Sequence, residues 1–116
     1  MLLKNLMGDF LMESPEELPQ FLPLEDEQVE SFPVWSEVES PRRLIRDYSF
    51  PSRDSMFLFV SGLVQFENIT GHNAKIVIDN KQVRVEVYTH DVDDITELDV
   101  EYAQYADALF TDVGGA

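Results

Sequence analysis

Two histidines, His72 and His90, are the residues most suited to proton chemistry in this 116-residue chain, which contains no cysteine. Imidazole holds and releases a proton near neutral pH, so two of them converging would make an acid–base pair. Their immediate neighbours are polar: Gly71-His72-Asn73-Ala74 in one case and Thr89-His90-Asp91 in the other. Asn73 can hydrogen-bond a ligand but cannot exchange protons with it. Structural roles fit the same residues. His72 after Gly71 also reads as an exposed turn residue, and His90 beside Asp91 as a capping residue at a strand end. Asp91, Asp93 and Asp94 lack the remaining ligands and the glycine of a calcium loop. Two histidines without a helical His-Glu-x-x-His pattern are too few for a metal centre, and no thiolate nucleophile or cysteine-bound metal is available. The reading assigns no metal and no cofactor. Thr96 and Asp99 read as a helix cap.

The elements that must position these residues begin near Arg43. Leu44, Arg46, Tyr48 and Phe50 share one side of a predicted strand over 43–50, which Pro51 stops. Ser52 as N-cap and Asp54 in the first turn start a helix expected to run to about Glu67. Its apolar set, Met56, Phe57, Phe59, Val60, Leu63, Val64 and Phe66, is wider than one stripe and predicts covering on more than one side. Lys75–Ile78 and Gln82–Thr89 flank Asp79-Asn80 as a hairpin. Val83, Val85 and Val87 alternate with Arg84, Glu86 and Tyr88, so one face of the sheet is covered. Thr96 then caps a helix carrying Leu98, Tyr102, Tyr105 and Leu109. Strand, helix, strand, strand, helix makes an α+β domain, a small antiparallel sheet with two helices packed on one face.

Residues 1–40 have no sustained period and form an acidic, Pro-rich arm ahead of the domain at 41–116. Pro15, Pro19, Pro23 and Pro33 punctuate it, yet Phe10, Phe21, Phe32 and Trp35 give it more aromatic content than most disordered tracts. Two readings stay open: an irregular strap packed on the domain, favoured for Phe32–Trp35, or a segment that orders on a partner. The chain carries 23 acidic against eight basic residues, a net charge of −15. Both parts are acidic, which disfavours nucleic acid and anionic membranes and favours basic partner surfaces. Glu86, Asp93, Asp94, Glu97 and Glu101 are candidate partner-binding acids, with a solvated surface as their ordinary role. No run approaches a membrane span and the N-terminus does not read as a signal peptide, so a soluble, cytoplasmic protein is expected.

Thr89-His90-Asp91, Ile95-Thr96 and Asp99 resemble the second half of the pterin-4a-carbinolamine dehydratase signature. The strand of Val83, Val85 and Val87, the helix from Met56, the Arg46-x-Tyr48-x-Phe50 pattern and Trp35 fall in matching order, over roughly residues 33–112. The family's Asn-His-His-Pro followed by an acid is replaced here by Gly71-His72-Asn73-Ala74-Lys75. The register keeps the first histidine as His72 and the third as His90; the second becomes Asn73 and the proline Ala74.

The resemblance implies a catalytic pocket of His72 and His90, vestigial in form, with Asn73 and Asp91 beside them. Dehydration of a carbinolamine needs an acid for the leaving oxygen and a base for the adjacent ring nitrogen, and Asn73 can be neither. The first functional reading is therefore a non-catalytic relative, similar to the pterin-dehydratase-like Rubisco assembly factors of α-carboxysome bacteria, with Rubisco subunits as partners. The alternative is an active dehydratase that tolerates Asn73. In either case the over-apolar helix and a free sheet edge predict at least a homodimer.

Overall fold

The computed structural model describes residues 30–115, and the path of the N-terminal arm over residues 1–29 lies outside them. From Ser31 onward the chain forms one compact unit. Its elements are β1 (Ser36–Val38), β2 (Arg43–Ser49), α1 (Arg53–Thr70), β3 (Lys75–Asp79), β4 (Gln82–Val87) and α2 (Glu97–Asp112). The strands make one sheet in the order β1-β2-β4-β3, antiparallel throughout.

Register explains which face is buried. Leu44 lies opposite Val87, Arg46 opposite Val85 and Tyr48 opposite Val83, so one side of the sheet gathers the apolar set. Val83, Val85 and Val87 are sealed there with Tyr48 and Phe50, against Met56, Phe59 and Leu63 of α1 and Tyr102 and Ala106 of α2. Burying each such side chain stabilises by about 1.5–3 kcal/mol. Tyr48, Phe50, Phe59 and Phe110 form an aromatic group with ring centroids 4.7–5.3 Å apart along Tyr48–Phe59, Tyr48–Phe110, Phe50–Phe59 and Phe50–Phe110. The expected α+β arrangement, two helices on one face of a small antiparallel sheet, is the one observed.

The other face alternates charge. Asp47 pairs with Arg84 and Arg43 with Glu86 across β2 and β4. Phe32 is held at this border: its carbonyl accepts from the Asp47 amide, its amide donates to the Asp47 carboxylate at 2.9 Å, and the Arg84 guanidinium sits over its ring. Trp35 turns to the helix side, where its indole N–H donates to Asp107 at 3.0 Å and its ring meets Tyr48 edge-on. Asp107 Oδ1 also accepts from Arg46 and the Tyr48 phenol, each at 2.7 Å.

Three local signals set the helix ends. The Ser52 hydroxyl accepts from the Ser55 amide and opens α1, and Gly71, at φ 77°, closes it in the left-handed region that only glycine adopts without strain. Thr96 and Asp99 form a reciprocal capping box on α2. Gly62 lets the helices approach, since a Cβ there would lie 2.6 Å from Leu109 Cδ2. On its outer side α1 leaves Phe57 and Leu58 more than half exposed, with Val64 beside them. Among the described residues no helix is long and apolar enough to cross a membrane.

Candidate functional site

Gly71 ends α1 and turns the chain, so His72 and Asn73 leave the helix at the same end of the sheet as the end of β4. There the Thr89 amide donates to the Asp94 carbonyl at 2.9 Å and the Asp94 amide returns to the Thr89 carbonyl, closing a tight turn through His90–Asp93. Asp93 takes the positive φ this turn requires. Thr96 then caps α2 and brings Asp99 in behind both segments.

Asp99 has no solvent exposure and is the hub of the site. Its Oδ1 lies 2.6 Å from His72 Nε2. Its Oδ2 accepts from the Thr96 amide and from the Thr89 hydroxyl, both at 2.8 Å. The Thr96 hydroxyl accepts from the Leu98 amide and lies 2.7 Å from that of Thr89. Since the Thr89 proton goes to Asp99, the Thr96 proton goes to Thr89, and both threonine hydroxyls are satisfied. A carboxylate accepting at both oxygens requires His72 to donate from Nε2. That leaves Nδ1 as the ring nitrogen free to take a proton.

His72, Asn73, Thr89, His90, Asp91 and Leu98 line one open cleft of about 370 Å3. The structure thus brings together the residues that the sequence offered as a pocket. They differ in setting. His72 is not an exposed turn residue: its side chain is only 14% exposed, pressed against Asp99. His90 is exposed, its ring stacked on Tyr88 with centroids 4.2 Å apart. Asn73 and Asp91 are exposed at the rim. Among the described residues no group of three or more His, Cys, Asp or Glu side chains is arranged to hold a metal ion.

The candidate partner-binding acids do not share one setting. Glu86 is tied to Arg43 at 2.9 Å, and Asp94 to Arg42 at 2.6 Å and to the Ile95 amide. The hydrogen bond from Arg42 holds the Asp94 carboxyl below the usual range. Asp93, Glu97 and Glu101 are exposed.

Two features escaped the sequence reading. Asp99 was legible as a cap, but not as the partner of His72, because that contact spans 27 residues. Glu67 was read only as the end of a helix. Its Oε2 accepts from the Tyr102 phenol and from the Ala74 amide. Burial, and then the bond to Glu67, push the Tyr102 phenol well above its ordinary range, so it remains a donor.

A paired imidazole and carboxylate, a second imidazole and a carboxamide in one cleft can bind a polar heterocycle and move its protons. The family model of pterin 4 alpha carbinolamine dehydratase matches residues 14–109. The chain belongs to this family. Among solved structures it is similar to a transcriptional coactivator/pterin dehydratase from Brucella melitensis, at 23% identity and a TM-score of 0.63, over 65% of this chain and 80% of that one. It is also similar to a pterin dehydratase-like protein identified as a RuBisCO assembly factor in the alpha-carboxysome, at 21% identity and a TM-score of 0.60, over 72% of this chain and 93% of that one. At these identities the likeness is one of fold. No curated protein matches the chain.

Proposed function

We propose that the cleft binds a reduced pterin and that the chain dehydrates its 4a-carbinolamine slowly. The observation that supports this most is His72 held at 2.6 Å by the buried Asp99 in the same cleft as His90. The C–OH bond of the carbinolamine breaks as its oxygen takes a proton and leaves as water. The adjacent ring nitrogen loses its proton and forms the C=N bond. His72, donating Nε2–H to Asp99, accepts that proton at Nδ1, and His90, exposed to the cleft, supplies one to the leaving oxygen. Asn73 hydrogen-bonds the ligand without exchanging protons, so the site runs one acid–base group short, a deficit of about 10²–10⁴ in rate. The test is a dehydratase assay on a 4a-hydroxytetrahydropterin. Asn73→His raises turnover by about a hundredfold or more, and His72→Gln removes it. An Asn73→His variant as inert as the wild type, with no pterin binding to either, overturns the reading.

A second reading keeps the fold without the chemistry: an acidic assembly module for Rubisco subunits, working as at least a homodimer. Its support is the missing histidine, the net charge of −15 and the exposed Phe57, Leu58 and Val64 on α1. Co-purification of Rubisco from the native host, lost as salt is raised, favours it over catalysis. Recovery of no partner together with measurable turnover removes it.

A further inference from the structure

The loop Gly71–Ala74 is held at two points, one from α2 and one from α1. At its centre the His72 ring meets Asp99; at its end the Ala74 amide donates to Glu67 Oε2 at 3.2 Å. Glu67 is itself fixed by the phenol of Tyr102, which is fully buried. Asp99 and Tyr102 are three residues apart in α2 and so project from one side of that helix. Around them Phe66 stacks on Tyr105, with centroids 4.0 Å apart, and meets Tyr102 edge-on, fixing the end of α1 against α2.

The atom that matters is the Ala74 N–H. Proline has no such donor, and it restrains a loop by locking φ instead. An alanine at this position leaves the loop freer in the unfolded chain, but it can be tied down by a hydrogen bond.

We infer that Glu67, braced by Tyr102, is a positioning residue that clamps the loop carrying His72 through the Ala74 amide, and that this clamp substitutes for the backbone restraint of a proline. It rests on the pterin reading only in making His72 the group worth positioning. The clamp itself is a claim about the loop. Glu67 touches neither imidazole, so it acts through the backbone.

The experiment uses the full chain and reads His72 by NMR, through its ring nitrogen correlations and through exchange of the Ala74 amide. Amides of β4 serve as the folding control. Glu67→Ala speeds Ala74 exchange by about tenfold and removes the Nε2–H signature of His72, while β4 stays protected. Glu67→Gln keeps an acceptor for the amide and offers a donor to the phenol oxygen, so it retains the wild-type pattern. Adding Ala74→Pro to Glu67→Ala restores the His72 signature. In the dehydratase assay Glu67→Ala lowers kcat by tenfold to about a hundredfold with KM little changed. A His72 pattern indifferent to Glu67→Ala overturns the clamp, and so does a double variant no better than Glu67→Ala alone. Should the wild type prove inert while the His72 pattern follows these substitutions, the pterin reading falls and the clamp stands.

Discussion

Asp99 occupies no solvent-facing position, yet it gives both oxygens to other groups, one to the His72 ring and one to the start of α2. Its removal should therefore be expensive and its conversion to asparagine selective. Asp99→Ala strands the Thr96 amide, the Thr89 hydroxyl and the His72 ring, and should cost about 3–5 kcal/mol in urea unfolding. Asp99→Asn can still accept from the Thr96 amide and should keep the cap. Its carboxamide NH2 would instead select the opposite His72 tautomer, so turnover should fall at least a hundredfold or so while the melting transition moves little. Equal losses of stability and turnover in the two variants would place Asp99 in the cap alone.

Secondary structure was the most legible level of the sequence. The Ser52 and Thr96 caps and the valine alternation of β4 act over a few residues, and each formed where its chemistry placed it. The hairpin turn falls on Asn80-Lys81, one residue past the expected Asp79-Asn80, because Asp79 still pairs with Gln82 at the end of β3. β1 was missed: three residues, Ser36–Val38, show no period and are strand only because β2 offers them an edge. The helix from Ser52 runs to Thr70, past the expected Glu67, because Gly71 is the residue able to end it. The site followed the same logic. His72 and His90 could be named, but the ring partner and the Glu67 clamp depend on contacts 27 and 35 residues apart. At the helix–helix crossing, Gly62→Ala should be nearly neutral, because the gain in helix propensity offsets the displacement of Leu109. Gly62→Ile should cost about 1–3 kcal/mol by forcing the helices apart. Thermal unfolding separates the two. The Phe32 attachment answers to pH. Burial raises the Asp47 carboxyl, but the bonds from Arg84 and the Phe32 amide outweigh it and hold it below the usual carboxylate range. Such a group stabilises fully above its unfolded value near 3.9 and loses that contribution as pH falls through its lower folded value. The Phe32 amide resonance should accordingly shift only below about pH 4, and Asp47→Asn should abolish the titration.

For the molecule as a whole, the surfaces that invite a second copy are, among the described residues, the exposed outer side of α1 and the sheet edge at β3. Phe57, 65% exposed, is a large apolar side chain on that helix face. A net charge of −15 opposes the meeting of two copies, and salt screens that repulsion. Sedimentation should show a dimer at micromolar concentration that tightens as salt is added, with Phe57→Glu shifting it to monomer. A wild-type monomer at every salt concentration would remove self-association from the account. Salt thus acts oppositely on the two kinds of assembly, strengthening self-association and weakening attachment to a basic partner.

Trp35 is the chain's one tryptophan, and it is lodged between Asp107 and the Tyr48 ring, 6.2 Å away. Its emission therefore belongs to a single location, the junction between the segment leading into β1 and the helix side of the sheet. Light absorbed by Tyr48 should pass efficiently to Trp35 while that junction is closed. The protein carries its own fluorescent reporter, able to show the segment lifting while the strands beneath it remain paired.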